Sequence, residues 1–502
     1  MTGLALVGLI MLVVMIGAIF IGFPISFTLL FLALSIGYFS LGEMVFSLAY
    51  FQTIGMMKEE LLAAVPLFIF MGFITEQAGL MERLFLAFRL LLAPIRGSLY
   101  AVVILTATVF AMATGIVGAA VTVLGIMAAP IMIKTGYDGR LAAGAITAGG
   151  TLGILIPPSV MLIVMGPVLG VSVSDLYAAA FGPGIMLAGI YLVYLLGRAF
   201  VNPKLGPPVP LEERIHSPLT IVKEVLLGVV PLVGLIGATL GSILGGLATP
   251  TEASAIGAIG ALILAACYRK LTYAGLKRAV LSTTATASMV LLLAVTSNVF
   301  GAVFARLGTA NWITEVLLAL PLPPVIMLIL VLVLIFLLGW PFEWPAIILV
   351  FLPIFYPVVI ALKPALAQAM GVPLDMVMIW FGALVAVTLQ TAFLSPPVAM
   401  SAYYLRQVVS DWSLATIYKG MGQFMVLQVF AIALMLVFPK IATELPERLQ
   451  AAASAIKTEE VDDSMNRLES DAETSMEEKA EGEEEESAKR APKKDEAAKK
   501  AK

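Results

Sequence analysis

Uninterrupted apolar stretches follow one another along residues 1–438, and they restrict the possible folds of this chain more than any other feature. A helix that crosses the hydrocarbon core of a bilayer needs about 20 apolar residues. The stretches that approach or exceed this length are 3–21, 24–42, 61–80, 98–113, 117–133, 140–171, 181–200, 224–243, 248–267, 279–305, 318–338, 345–361, 374–405 and 417–438. Only 13% of the chain is charged, about half of what soluble domains carry. The sequence therefore predicts an all-α, multi-pass membrane protein whose residues 3–21 are a retained helix.

Some of these stretches are too short to cross a bilayer alone, and they come in adjacent pairs. The pairs are 98–113 with 117–133, and 318–338 with 345–361. The break between the members of each pair is not polar enough to reach bulk water as an ordinary loop. We therefore predict two re-entrant hairpins, which enter and leave the membrane on the same side, over residues 98–134 and 318–361.

Two other stretches, 140–171 and 374–405, are too long for one span, and each contains a Pro-Pro pair. Proline lacks a backbone N–H and cannot continue a helix without a break. A break at membrane depth is tolerated only where protein or a wet cavity satisfies the backbone. We therefore expect broken helices at Pro157-Pro158 and Pro396-Pro397.

The same landmarks occur twice along the chain. The matching positions are Gly22-Phe23-Pro24 with Ala248-Thr249-Pro250, Gly79 with Gly308, Pro130-Ile131 with Pro353-Ile354, and Pro157-Pro158 with Pro396-Pro397. Each copy holds five spanning helices and one hairpin, ten spanning helices in all, and the odd number predicts that the second copy is inverted. We predict a first repeat over 1–205, a connecting loop over 206–223, a second repeat over 224–440 and a charged, disordered tail over 441–502. Inverted repeats with paired broken helices are typical of secondary transporters that bind substrate and ion near the bilayer midplane.

Basic residues give an orientation, because they collect on the cytoplasmic side of membrane proteins. The loops on one predicted side hold fifteen Lys and Arg residues up to position 438, whereas the opposite side holds Lys58, Arg306 and Lys363. The basic side is predicted to be cytoplasmic. Both termini are then outside a bacterial or archaeal cytoplasmic (inner) membrane.

The two hairpin tips and the two Pro-Pro breaks supply the groups that an anion and a cation need. Helix N-termini attract a carboxylate, and exposed carbonyls and hydroxyls coordinate a cation such as Na⁺. The candidate substrate contacts are Thr114, Gly115, Gly118, Thr151, Ser159, Glu343, Thr391 and Ser395. The candidate Na⁺ ligands are Gly149, Gly153, Pro157, Gly339, Thr388, Gln390 and Pro396. The alternative is that these small residues only allow close helix packing.

Three carboxylates, Glu76, Glu252 and Glu343, lie in or near apolar segments, where burial of a charge is expensive. Glu343 is the best functional candidate because it lies on a hairpin tip. Glu252, in the motif Thr249, Pro250, Thr251 and Glu252, is favoured as a structural residue that interacts with the dipole of its helix. The single cysteine and single histidine make a metal site of those residues very unlikely. The chain has neither an ATP-binding loop nor a nucleophile elbow, so we expect no enzyme activity and no organic cofactor.

Residues 1–440 resemble the large membrane subunit of tripartite ATP-independent periplasmic (TRAP) transporters. The matching stretches are 65–73, 134–138, 148–159 and 248–253, of which Gly-Thr-Leu-Gly-Ile-Leu-Ile-Pro-Pro-Ser and Thr-Pro-Thr-Glu are the most specific. The sequence departs from the family in the low hydroxyl content of residues 114–120 and in Thr388, where asparagine is expected.

The resemblance implies an elevator-type transporter that uses Na⁺ to take up a carboxylate, such as a 2-oxo acid or a C4-dicarboxylate. It implies a small four-helix membrane subunit and a periplasmic substrate-binding protein as partners, and no nucleic acid. The alternative is a self-sufficient carboxylate or ion transporter of the same architecture, coupled to Na⁺ or H⁺. A membrane-embedded enzyme is the third hypothesis.

Overall fold

A computed structural model describes residues 3–208, 218–396 and 399–455, and in these ranges the regular structure is entirely helical. The chain divides into two compact units, residues 1–446 and 447–502, and the first unit holds α1 to α22. The helices of the first half are α1 (Gly3–Ile21), α2 (Ile25–Leu41), α3 (Met44–Met57), α4 (Ala64–Gln77), α5 (Leu80–Leu92), α6 (Ser98–Thr114), α7 (Val117–Lys134), α8 (Gly139–Leu155), α9 (Val160–Leu169) and α10 (Val173–Val201).

The described helices of the second half begin at Pro218 and follow an order similar to that of the first half. They are α11 (Pro218–Gly228), α12 (Val230–Ile236), α13 (Ser242–Leu244), α14 (Pro250–Cys267), α15 (Tyr273–Arg306), α16 (Thr309–Leu318), α17 (Pro324–Leu338), α18 (Trp344–Ala346), α19 (Leu352–Met370), α20 (Val377–Ala392), α21 (Met400–Val408) and α22 (Leu414–Val437). Short π-helical segments, Gly237–Gly241 and Ile347–Phe351, join α12 to α13 and α18 to α19. A 3-10 turn, Glu60–Ala63, leads into α4.

The landmarks that repeat in the sequence have matching places in the two halves. Gly79 and Gly308 precede α5 and α16 with φ of 69° and 76°, a left-handed conformation that glycine adopts without a steric penalty. Pro24 is the N-cap of α2, and Pro250 is the first residue of α14. The inverted orientation of the two repeats and their boundaries at 205 and 224 remain predictions.

The helices pack as two groups. One group contains α1–α5 with α11–α16, and its largest contacts join α14 to α4 and α15 to α2, α3 and α4. The other contains α6–α10 with α17–α22, in which α8 contacts α6, α7 and α22. The short helices α5 and α16 link the two groups along the chain. Helix α5 lies between α4 and the hairpin arm α6, and α16 lies between α15 and the hairpin arm α17.

Nine helices in the described part of the chain are long and apolar enough to cross a membrane, or ten if α8 and α9 count as one broken span. Together with the all-helical fold, they make this an all-α membrane protein. The pair α8 and α9 is bent by 47° at the predicted Pro157-Pro158 break. Similarly, α20 ends at Ala392, four residues before Pro396.

Three short helices, α3, α5 and α16, were not predicted from the sequence. The predicted hairpin over 318–361 also needs correction: its first arm begins at Pro324, because three prolines in residues 321–324 separate it from α16, and its second arm runs on to Met370. The helices α6 and α7 cover residues 98–134, the range predicted for the first hairpin, and their re-entrant course stays a prediction.

Two predicted irregular segments are partly helical. The connecting loop predicted over 206–223 contains the start of α11 at Pro218, while residues 209–217 lie outside the described residues. The tail predicted to be disordered from 441 begins with a helix over 440–455. Ala442 and Thr443 in its first turn are buried, and this burial explains why the segment is ordered. The remainder of the predicted tail lies outside the described residues.

Candidate functional site

A cavity of about 150 Å³ lies between the two helix groups. Both hairpin tips and both helix breaks contribute to its wall, and α4 and α15 close it from the first group. Its lining residues are Ile69, Gly115, Ile116, Val117, Gly118, Ile154, Val160, Thr286, Met289, Val290, Glu343, Trp344, Pro345, Phe393, Met400 and Tyr404. Segments far apart in the sequence, each predicted to carry function, therefore meet at one place.

The first hairpin tip lies directly on the first break. Gly115 ends α6 in a left-handed conformation, with φ of 60°. A Cβ built on Gly115 would lie 3.8 Å from the carbonyl oxygens of Gly153 and Pro158. Gly72 on α4 allows a much closer approach from the other group, since its Cβ would lie only 2.6 Å from the Thr114 carbonyl oxygen. Glycine at these positions permits backbone-to-backbone contact around the tip.

The second hairpin tip lies on the second break in a comparable way. A Cβ built on Gly339 would lie 2.9 Å from the Ala392 Cβ, at the end of α20. The two tip-and-break units meet through Tyr404 of α21, because a Cβ on Gly118 would lie 3.0 Å from the Tyr404 ring.

Three helices of eight or more residues begin at the cavity, at Val117 (α7), Val160 (α9) and Met400 (α21). None has a side-chain cap on its first N–H groups. Among the helices that begin elsewhere, α8, α14, α15 and α22 are capped by Asp138, Thr249, Thr272 and Ser413, whereas others, such as α2, α6 and α20, also lack a side-chain cap. Uncapped N-termini carry partial positive charge and unpaired donors, so this wall of the cavity suits an anion.

Of the eight residues predicted to contact substrate, Gly115, Gly118 and Glu343 line the cavity. The five hydroxyl-bearing residues Thr114, Thr151, Ser159, Thr391 and Ser395 are buried beside it and do not line it. Each hydroxyl donates to a backbone carbonyl within its own segment: Thr151 to Ala148 at 2.8 Å, Thr391 to Thr388 at 2.6 Å, Ser395 to Thr391 at 2.7 Å, Thr114 to Phe110 at 3.2 Å, and Ser159 to Ile154. Their oxygens still have acceptor capacity, but their protons already have partners.

The predicted Na⁺ ligands lie at the same two breaks. Gly149, Gly153 and Pro157 are buried at the first break, and Gly339, Thr388 and Gln390 are buried at the second, whereas Pro396 is exposed. The Thr388 hydroxyl donates to the Leu384 carbonyl at 2.8 Å. Gln390 differs from the others, because its side chain is fully buried and neither amide atom has a hydrogen-bond partner among the described residues. A buried, unpaired amide is costly and calls for a ligand.

Glu343 is the carboxylate at the second hairpin tip. Its side chain is half-buried in the cavity wall, no Lys, Arg or His is among the described residues of that wall, and the Tyr404 phenol interacts with the carboxylate electrostatically. Apolar side chains such as Ile154, Val160 and Phe393 make up most of its surroundings.

The motif at 249–252 lies away from the cavity, at the start of α14. Thr249 and Glu252 form a reciprocal capping box: the Thr249 N–H donates to the Glu252 carboxylate at 2.8 Å, and the Glu252 N–H donates to the Thr249 hydroxyl at 3.2 Å. The Thr251 hydroxyl donates to the Glu60 carbonyl at 3.3 Å, which ties α14 to the turn before α4. The contacts of this motif are thus structural.

Sequence reasoning missed part of the cavity wall, namely Ile69, Thr286, Met289, Val290, Phe393 and Tyr404. Tyr404 lies one helical turn after Met400, the first residue of α21 after the second break. The two side chains share one face of that helix, so this face could have been predicted to line the site. The α4 and α15 residues carry no local signal, because nothing in an apolar helix indicates which face meets a distant hairpin. In the described ranges, no group of three or more His, Cys, Asp or Glu residues is placed to hold a metal ion.

Comparison with known proteins connects this geometry to a family. The family model described as the DctM component of the tripartite ATP-independent periplasmic transporter matches residues 12–441. The sialic acid TRAP transporter large permease protein SiaM of Vibrio cholerae is 29% identical over 436 residues, which cover 86% of this chain and 96% of SiaM. The C4-dicarboxylate TRAP transporter large permease protein DctM of Pseudomonas aeruginosa is 30% identical over 395 residues, 77% of this chain and 86% of that protein.

A third relative, the 2,3-diketo-L-gulonate TRAP transporter large permease protein YiaN of Escherichia coli, is 26% identical over 339 residues, 67% of this chain and 75% of YiaN. Among solved structures, the YdaH transporter of Alcanivorax borkumensis superimposes with a TM-score of 0.53 at 16% identity, over 81% of this chain and 90% of that one. At this identity the structural likeness concerns the fold alone. The relatives carry names of different substrates, so their names do not single out one for this chain.

Proposed function

This chain belongs to the DctM family of tripartite ATP-independent periplasmic transporters, and on that premise we propose that it is the large permease subunit for Na⁺-driven uptake of an organic acid. The observation that carries the proposal is the cavity on which both hairpin tips and both helix breaks converge. In secondary transporters, broken helices hold substrate and coupling ion near the midplane.

The cavity wall supports an anionic substrate. The uncapped N-termini of α7, α9 and α21 offer N–H donors to a carboxylate without requiring a basic side chain. The cavity lies between the two helix groups, with α4 and α15 on one side and the hairpins on the other. An elevator motion, in which the hairpin group slides along the other group, would carry this cavity from one face of the membrane to the other.

The carbonyl ends of α8 and α20 and the Gln390 amide support a Na⁺ site beside the substrate. Carbonyl oxygens freed at a helix break coordinate Na⁺ in transporters of this type. Gln390 provides the observation specific to this chain, since its buried amide oxygen has no protein partner among the described residues. We expect Gln390→Leu to raise the Na⁺ concentration for half-maximal uptake about tenfold or more, because a charge-assisted contact is lost. Gln368→Leu, at an exposed position on α19, is the matched control and should leave that concentration unchanged.

The family supports a small membrane subunit and a periplasmic substrate-binding protein as partners, in a bacterial or archaeal inner membrane. The distribution of basic residues supports an orientation with both termini outside. The decisive experiment reconstitutes the chain with its small subunit in proteoliposomes, imposes an inward Na⁺ gradient and measures uptake of the binding protein's ligand. Uptake should require both the gradient and the binding protein. Uptake without the binding protein would favour a self-sufficient transporter, and uptake driven equally by a pH gradient alone would exclude Na⁺ as the specific coupling ion.

A further inference from the structure

The cavity contains one group that an anion site does not need. Glu343 is the only residue with a formal charge among the described residues that line it, and no Lys, Arg or His lies on its wall. A substrate carboxylate seated on the N-termini of α7, α9 and α21 would therefore share a small, mostly apolar space with a second carboxylate. That arrangement restricts which organic acids can bind.

The restriction follows from the hydrogen-bonding chemistry of Glu343. An ionised carboxylate accepts hydrogen bonds and donates none, and no Lys, Arg or His on the described cavity wall donates one to Glu343. A hydroxyl or ammonium group on the substrate would supply the missing donor in a charge-assisted hydrogen bond. A second substrate carboxylate placed there would instead meet like charge with no base to compensate, which disfavours binding.

The volume gives a scale for the cavity. A cavity of about 150 Å³ in another protein accommodates benzene. The same volume here suits an acid of about six to eight non-hydrogen atoms. The apolar side chains of Ile116, Ile154 and Val160 suit a short hydrocarbon body between the two polar ends.

We propose that this cavity takes a small monocarboxylate that also carries a hydrogen-bond donor, a 2-hydroxy or 2-amino acid, with its carboxylate on the helix N-termini and its donor on Glu343. This inference rests on the proposed function and narrows its substrate class. It makes Glu343 a specificity-determining residue, and it sets this chain apart from relatives named for C4-dicarboxylates.

Direct binding to the full-length chain in lipid nanodiscs tests the inference without interference from the selectivity of a binding protein. Trp344 lines the cavity beside Glu343, so its fluorescence should report occupancy, and Trp344→Phe identifies that signal. At fixed Na⁺, the titrated acids are propanoate, 2-hydroxypropanoate, 2-aminopropanoate and succinate. We expect the hydroxy or amino acid to bind about tenfold or more tightly than propanoate, and succinate to bind more weakly than either.

Two variants separate selectivity from stability. Glu343→Gln should reduce the advantage of the donor-bearing acids to about threefold or less and should improve succinate binding, whereas Glu343→Asp should keep the wild-type order. Glu252→Gln removes a carboxylate away from the cavity and should also keep that order. An order unchanged in Glu343→Gln, or succinate preferred by the wild type, would overturn this inference alone. Failure of every acid to bind would also overturn this inference, whereas the proposed function is tested separately by Na⁺-driven uptake in proteoliposomes.

Discussion

Gly72 should control the contact between the two helix groups. It lies in α4, where a Cβ would be 2.6 Å from the carbonyl oxygen and 3.0 Å from the Cα of Thr114 at the first hairpin tip. Both neighbouring atoms belong to the backbone, so no side chain can rotate away. Gly72→Ala must therefore push α4 away from the tip. Overpacking of this kind costs about 1–3 kcal/mol.

The matched control is Gly301→Ala in α15, in the same helix group. No atom lies within 4 Å of a Cβ at Gly301, and both positions have ordinary helical backbone. Each variant gains about 1 kcal/mol of helix propensity from replacing glycine by alanine. The propensity terms cancel in the comparison, so the difference in unfolding free energy between the variants isolates the overlap, about 1–3 kcal/mol.

The assay is unfolding of each purified variant in lipid nanodiscs, followed by tryptophan fluorescence, together with Na⁺-driven uptake. Gly301→Ala should be at least as stable as the wild type and should transport normally. Gly72→Ala should unfold more readily than Gly301→Ala and take up substrate more slowly, because α4 no longer fits against the tip. Equal stability and equal uptake for the two alanine variants would refute the close-contact reasoning.

Three further predictions concern stability. Trp380 is fully buried, and its indole N–H donates to the Met435 carbonyl at 3.1 Å, which receives no helical hydrogen bond from Pro439 because proline has no N–H. Trp380→Phe should lower the unfolding free energy by about 1 kcal/mol, and Trp380→Ala should lower it by about 3–5 kcal/mol. Trp312→Phe, at a half-buried position, is the control and should be nearly neutral. Thr249→Ala removes the capping box and should lower the unfolding free energy by about 1 kcal/mol while leaving substrate affinity unchanged. Thr284→Ala, at an exposed position on α15, is the control and should change neither quantity. An altered substrate affinity in Thr249→Ala would instead assign this motif to the site. Arg83 lies 4.8 Å from the centre of the Tyr268 ring, and a double-mutant cycle of Arg83→Met with Tyr268→Leu should give a coupling of about 0.5–1 kcal/mol, with zero coupling as the contradicting result.

Local sequence features predict two of the helix breaks in this protein. Proline acts through its own backbone, so the Pro-Pro pairs predict the ends of α8 and α20 wherever the chain lies in space. Glycine before α5 and α16, and the threonine-to-glutamate spacing of the α14 capping box, are local in the same sense. The break between α6 and α7 was predictable for a related reason, because Gly115 ends α6 in a left-handed conformation that glycine adopts without a steric penalty.

The sequence missed α3, α5 and α16, since helices of 10–14 residues do not meet the length criterion for a membrane span. Their positions depend on the longer helices against which they pack. The helix over 440–455 was missed for the same reason, because it depends on the burial of Ala442 and Thr443 against other parts of the fold.

Only the tertiary structure decided which candidate residues line the cavity. Thr151, Thr391 and Ser395 are of the right chemical type, but their hydroxyls donate to carbonyls of their own segments, while Ile69 reaches the cavity from an apolar helix with no local signal. A residue's type and its place near a break are local properties. The face it presents depends on how helices hundreds of residues apart pack together, and that packing brought Glu343 into a cavity without a base.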